Sequence, residues 1–568
     1  MSKFFVLFLG TCLALAVAQE EREESPIVHA PIGKIRGSIF QTILGRTIYA
    51  YRSVRYAEAP VGEKRFQVAT PAAGWNDVYD ATQEGPACIT VSPTTISEDC
   101  LTVNVYTTKL PTENAKGGHF KGRPVLVFFF PGGFYALSAQ SRYFGPEYIM
   151  DKDVVLVTVN HRMGSLGFLS TGDSLAPGNL GLKDQVEALR WVQKNIPAFG
   201  GDPNSVTLFG YSVGSVSVLL HMVSPMSRGL FHRAIAMSGS SIQPRRLPTD
   251  QKDTAKRQAE LFGCPTDTTT SMLKCMQTVP VENYTASLSQ LVINFENSYA
   301  VWSPVVEPEV PGVERFLPGQ PDDLIRQGKI NEVPLILGTT IEEFNGIVKE
   351  VGDLLNEGNY TFLDNLNQNW ETLAPRYFLY EQGTPRSRYI SQELRRFYFK
   401  DQPVTEGNLQ ALADAYTDSA TIFGMRRVAQ LFATYSHQPV YYYQFAYHGR
   451  FSLATRNNTA SYGVLHIDDL QYLFYMKAFF PILNLTSPEV PMMQRYTSMW
   501  TNFARSGEPI PKDQEIFKNV VWERFSKDKD NYLEITLEPT MKRGIFPERM
   551  QLWDRLFPLT PLPDCVKG

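Results

Sequence analysis

The pentapeptide Gly210-Tyr211-Ser212-Val213-Gly214 lies between the apolar run Val206-Thr207-Leu208-Phe209 and a stretch from Val213 to Val223 that reads as a helix. A serine in that context is predicted to stand on a sharp strand-to-helix turn. Glycines at both ends let the backbone close tightly, and the hydroxyl is then pushed out above the end of the strand. The amide of Val213 would point toward the same space, next to the positive N-terminal end of the helix. Such a place suits attack on a carbonyl carbon and retention of the oxyanion that results.

A serine hydroxyl is a poor nucleophile at neutral pH. It needs a base to take its proton, and the base needs a group that fixes its tautomer and stabilises its cation. The histidines downstream of the helix-rich stretch are His437, His448 and His466. His466 stands in Tyr462-Gly463-Val464-Leu465-His466-Ile467-Asp468-Asp469, a glycine-led loop with an acidic pair, and is the candidate base. His437 precedes a strand and reads as an exposed loop residue; His448 follows a tyrosine-rich strand and reads as a structural donor. The acid candidate is Glu343, just beyond a strand that breaks at Gly338, with the adjacent Glu342 as its rival. Gly132 and Gly133 follow the buried run Val125 to Phe130, and with Val213 they are the candidate oxyanion donors, because a glycine brings its N–H close with no Cβ in the way. This chemistry calls for no metal and no organic cofactor.

The elements that must hold these residues alternate between strand and helix. Val125-Leu126-Val127-Phe128-Phe129-Phe130 and Val154-Val155-Leu156-Val157-Thr158-Val159 read as strands buried on both faces. Leu182 to Ile196 is helical by pattern, Gly200-Gly201-Asp202-Pro203 ends that element, and Ala234-Ile235-Ala236-Met237 is a further strand. Later strands are expected near 334–338 and 440–445, with helices over roughly 345–435. Alternation of this kind predicts an α/β fold: a large, mostly parallel central sheet with helices on both faces, and ligands beyond the carboxyl ends of the strands.

Residues 1–18 read as a secretory signal peptide: an apolar run from Phe4 to Val17, small residues Ala16-Val17-Ala18, then the polar Gln19-Glu20-Glu21-Arg22. The run is short for a spanning helix, which needs about 20 residues. No later segment is apolar enough for a transmembrane anchor, so the expected product is secreted and extracellular. Residues 19–568 contain no linker, repeat or low-complexity tract and read as a single domain. A net charge of −4 gives no nucleic-acid footprint. Of the cysteines outside the leader, Cys88 with Cys100 and Cys264 with Cys275 would close short loops; sequence-local pairing is the simplest choice, though sequence alone does not prove connectivity. Cys565 is left over, either free or linking two chains as a homodimer. Sequons at Asn283, Asn359, Asn457 and Asn484 fit an exported glycoprotein.

Taken jointly, these pieces resemble the type-B carboxylesterase and cholinesterase family, in the style of secreted arthropod carboxylesterases. The likeness rests on Glu98-Asp99-Cys100-Leu101-Thr102-Val103-Asn104-Val105-Tyr106, Asn160 to Phe168, Gly181 to Gln185, Phe199 to Pro203 and Trp500 to Gly507, and covers nearly the whole chain beyond the leader. The resemblance implies an α/β-hydrolase fold, Ser212 as nucleophile, Glu343 as acid, His466 as base, Gly132, Gly133 and Val213 as the oxyanion hole, and both disulfides. It implies that Ser238 supports the acid. The substrate implied is a small apolar carboxylic ester, and the Cys88–Cys100 loop lacks the tryptophan by which cholinesterases bind choline. Three positions depart from the pattern: Tyr211 replaces the usual glutamate, Val213 the usual alanine, and Pro131 the first of three glycines. These departures keep open an alternative reading, an esterase-like protein with weak or no activity that binds an apolar ligand or a protein partner.

Overall fold

Uncharged runs of β-branched and aromatic residues form the middle of the sheet: Val155–Val159, Leu335–Thr340 and Val440–Phe445 are buried at every position. The computed structural model describes residues 25–111, 122–292, 301–454, 462–512, 514–517 and 520–559. Residues 1–18, the sequon at Asn457 and Cys565 lie outside the described residues.

In chain order the strands are β1 (Ile27–Ala30), β2 (Gly33–Arg36), β3 (Ser38–Gln41), β4 (Thr47–Arg55), β5 (Val78–Asp80), β6 (Thr102–Thr107), β7 (Arg123–Phe129), β8 (Val155–Val159), β9 (Gly201–Tyr211), β10 (Arg233–Met237), β11 (Leu335–Thr340), β12 (Val440–Phe445), β13 (Asn531–Ile535) and β14 (Thr540–Arg543). β1, β2 and β5 form a small sheet. The others make one sheet of eleven strands in the order β14-β13-β12-β11-β10-β9-β7-β8-β6-β4-β3. Its middle, from β8 to β13, is parallel throughout, and antiparallel strands flank it on both sides. After β7 the chain moves outward to β8 and then returns to the other side of β7 as β9. The strand order therefore reverses between β7 and β9, the point at which open α/β sheets bind ligands beyond the carboxyl ends of their strands.

Successive strand residues point to opposite faces, so neighbouring phenylalanines of β7 report on the two layers. Phe128 packs on Phe209 and Phe474, with ring centroids 4.7 and 4.6 Å away. Phe129 stacks instead on His221, 5.3 Å away, in the helix Val213–His221. By strand register Met237 shares the Phe128 face, where it meets the helix Val490–Ser506, so helices cover both faces, as the alternating pattern implied. The helix Val490–Ser506 also reaches the sheet: the Trp500 indole N–H donates to Met237 Sδ at 3.3 Å, and its ring lies 5.5 Å from that of Tyr443.

The observed helices Leu180–Asn195 and Val213–His221 agree with the expected Leu182 to Ile196 and Val213 to Val223 to within two residues at each end, and 346–435 is helical over most of its length. The β9 strand is longer than expected. It begins at Gly201, inside the segment read from sequence as a terminator, because Gly201 pairs with Arg123 of β7. Both cysteine pairs are bonded, Cys88 to Cys100 and Cys264 to Cys275. Among the described residues no helix is long and apolar enough to cross a membrane.

The helix after β9 lies unusually close to the sheet. A Cβ at Gly214 would fall on the carbonyl oxygen of Phe129, and one at Gly239 on the carbonyl of Ser212. Backbone cannot yield there as a side chain would. Gly214→Ala should therefore cost about 1–3 kcal/mol or more as an overpacked site, read as a lower urea midpoint at unchanged slope; a midpoint equal to that of the parent protein would refute the close approach.

Candidate active site

Ser212 directly follows β9 and begins the helix Val213–His221. Its backbone has φ 55° and ψ −121°, a region that residues other than glycine seldom occupy. Two hydrogen bonds hold it there: Ser212 N–H donates to Met237 C=O at 2.8 Å, and Val216 N–H donates to Ser212 C=O at 3.0 Å. Gly132 and Gly133, beyond β7, adopt φ 122° and 61°, and neither N–H donates to any described residue. The amide of Val213 opens the helix, where the first N–H groups lack an intrahelical acceptor. Pro131, the departure from a third glycine, is buried upstream of both free amides.

Glu343 stands three residues beyond β11 with its carboxylate fully buried. Oε1 accepts the Thr340 N–H at 2.8 Å, and Oε2 lies 2.6 Å from His466 Nδ1. The backbones of the two loops are also tied: His466 N–H donates to Glu343 C=O at 3.0 Å. With Nδ1–H directed to a carboxylate, the other ring nitrogen is left as the acceptor. The imidazole is about one-fifth exposed at 22%. Phe344 stacks on it at 5.6 Å and 18°, and the ring of Tyr211 lies 5.0 Å away at 58°. Ser212 Oγ makes no hydrogen bond to His466 in this structure, and such bonds are often long without substrate.

Glu342, the sequence rival, does other work. Its Oε2 accepts Val464 N–H at 2.8 Å, while its own N–H donates to Val464 C=O at 3.2 Å, so the acid loop and the histidine loop pair reciprocally. Gly463 is required at this junction: it has φ 99°, and a Cβ would meet the Glu342 carboxylate 2.6 Å away. Ser238 is buried, but its hydroxyl makes no hydrogen bond to Glu343; the acid is held through Thr340. His437 is exposed and pairs with Glu332, and His448 is exposed beyond β12.

The sequence reading missed the two aspartates as structural parts of the loop, and it missed what Tyr211 touches. Asp468 accepts the Leu453 and Leu465 N–H groups at 2.8 and 2.9 Å. Asp469 accepts the Tyr496 hydroxyl at 2.8 Å. The Tyr211 hydroxyl, fully buried, accepts the Ile467 N–H at 2.8 Å. An acidic pair after a histidine was visible; that both members point inward was not, since nothing local distinguishes an inward from a solvated carboxylate.

Burial pushes the Asp468 and Asp469 carboxyls up to about 7, against hydrogen bonds that pull each back down. For Asp469 the negative charge of Glu343 adds to the rise. The unfolded chain releases these protons near pH 4, whereas the folded chain keeps them to about 7. Between those values the folded state binds more protons, so this contribution to stability falls as pH rises through the interval and is level above it. Asp469→Asn should flatten part of that slope in urea midpoints measured from about pH 4.5 to 8. An unchanged slope would contradict the inward, protonated carboxyl.

Comparisons with known proteins agree with this architecture. Residues 24–553 match the model of the carboxylesterase family. Esterase E4 of Myzus persicae is 33% identical over 94% of this chain and 95% of its own length. Juvenile hormone esterase of Tribolium castaneum is 33% identical over 94% of this chain and 92% of its own. The crystal structure of juvenile hormone esterase from Manduca sexta, with OTFP covalently attached, superimposes with a TM-score of 0.83 at 28% identity, covering 94% of this chain and 100% of that one. With strands, crossovers and sequence all in agreement over nearly its full length, the chain belongs to the carboxylesterase family and is a carboxylic ester hydrolase of the α/β-hydrolase fold.

Proposed function

We propose that this protein hydrolyses apolar carboxylic esters through an acyl-enzyme on Ser212, with His466 as base and Glu343 as the acid that orients it. His466 takes the Ser212 proton as Oγ attacks the ester carbonyl. The carbonyl oxygen becomes an oxyanion held by the amides of Gly132, Gly133 and Val213. His466 then returns the proton to the leaving alcohol. Water, deprotonated by the same imidazole, releases the acid.

The observation that carries this reading is the 2.6 Å contact between His466 Nδ1 and a buried carboxylate whose second oxygen is already engaged. It leaves one ring nitrogen free to accept a proton, which is the role required. The left-handed backbone of Ser212 and the undirected amides of Gly132 and Gly133 support it further. The juvenile hormone esterases among the relatives are consistent with an apolar ester as the substrate class. Secretion is part of the proposal. It is supported by the leader-like residues 1–18, by the two disulfides, and by the exposed asparagines of the sequons at Asn283, Asn359 and Asn484.

A fluorophosphonate should label the protein at Ser212, and Ser212→Ala should abolish both labelling and the burst of p-nitrophenol from p-nitrophenyl esters. Labelling elsewhere, or a burst that survives in Ser212→Ala, would end the role of Ser212; tight ligand binding with no labelling and no burst in the parent protein would favour a binding protein instead. Glu343→Gln keeps the shape but loses the charge and should lower kcat on the order of 10⁴-fold, as loss of the orienting carboxylate does in such triads; steady-state rates per titrated site measure it. Protein recovered from the medium of expressing cells should begin at Gln19 on N-terminal sequencing.

A further inference from the structure

We propose that Tyr211 is a positioning residue for hydrolysis: its hydroxyl, by accepting the amide of Ile467, holds the backbone that carries His466 in register with Ser212. The inference rests on the catalytic reading above and concerns how that site is kept assembled.

Ile467 has φ 82°. A β-branched residue in that region is a genuine outlier, because its Cβ crowds the backbone. Something must hold it there. The chain at this point is fixed by two successive amides: His466 N–H donates to Glu343 C=O at 3.0 Å, and Ile467 N–H donates to Tyr211 Oη at 2.8 Å. The first bond fixes the base to the acid. The second fixes it to the residue bonded directly to the nucleophile. Relaxation of Ile467 would turn the Cα–Cβ bond of His466, and the ring would swing with it.

Tyr211 is suited to this task by burial and by charge. It is fully buried at the end of β9 and cannot meet substrate. Its ring also packs against the imidazole at 5.0 Å, as does that of Phe344 at 5.6 Å. The groups that face its hydroxyl include the carboxyls of Asp469 and Glu343, with the hydroxyl of Ser238 nearby. A carboxylate at position 211 would set another buried acid beside Glu343 and Asp469, with the charge of Glu343 opposing its ionisation. A phenol, whose ionisation burial and these neighbours oppose, accepts the Ile467 amide while neutral. The departure at 211 thus brings its own hydrogen bond.

The test is Tyr211→Phe, which deletes only the hydroxyl. Turnover of p-nitrophenyl acetate should be measured per active site, titrated by the burst. The expected result is a fall in kcat of about 10- to 100-fold, the scale of a misplacement near 1 Å, with KM within about twofold. Fluorophosphonate labelling of Ser212 should slow by the same factor. A purely structural role would lower the titrated fraction and leave kcat per site at the parent value; that outcome overturns the proposal. Ile467→Gly in the Tyr211→Phe background supplies a residue that adopts positive φ freely. It should recover at least about threefold of the lost kcat, and a double variant no faster than Tyr211→Phe also overturns the proposal. If the parent protein has no Ser212-dependent turnover, the hydrolytic reading itself falls; a fast Tyr211→Phe enzyme removes the role of Tyr211 alone.

Discussion

Everything at the carboxyl ends of the parallel strands depends on one close passage of backbone past backbone. Ser212 sits at φ 55°, between the end of β9 and the start of its helix, with Gly214 against the Phe129 carbonyl and Gly239 against the Ser212 carbonyl. A serine in that conformation costs on the order of 1–3 kcal/mol. The expense is sustained by the parallel strands on either side, which register β9 against β7 and β10 and continue through the Ser212-to-Met237 hydrogen bond. Without that passage the hydroxyl would lie along the helix, and the amides of Gly132 and Gly133 would have nothing to complement.

Around the imidazole, four carboxyl groups from two loops have been given four different tasks. Glu343 holds Nδ1; Glu342 ties one loop to the other at Val464; Asp468 gathers the Leu453 and Leu465 amides; Asp469 takes the Tyr496 hydroxyl. Negative charges this close would repel one another if all were ionised and unpaired. Backbone amides and phenols offset that cost, and burial keeps the two aspartates protonated to near neutrality. The result is a rigid setting in which the adjacent residues Glu342 and Glu343 are not interchangeable, since each carboxylate has a different partner.

The strands at 125–129, 155–159, 335–340 and 440–445 were legible because burial on both faces leaves an uncharged, mostly apolar run, and that is a local signal. The glycine-flanked serine was legible for the same reason: its turn is specified by residues adjacent in sequence. Contacts across hundreds of residues were not. Tyr211 and Ile467 touch across 256 positions, and Tyr211 read alone is only an aromatic in place of an acid. Which of Glu342 and Glu343 lies against His466 likewise depends on how the loop after β11 turns, a matter of geometry rather than composition. The early antiparallel strands β3 and β4 carry mixed polar and apolar residues, so their membership in the main sheet left little trace in the pattern.

β11 and β12 are hydrogen-bonded neighbours in the sheet, yet the whole of 341–439 intervenes between them. That stretch leaves the sheet, runs through a series of helices, and comes back to the adjacent slot. Such an arrangement is a cassette: its far end can be lengthened, shortened or exchanged without disturbing strand order. Glu343 and Phe344, which touch the His466 ring, lie at its root, so a lineage could redraw the outer helices while inheriting those contacts unchanged.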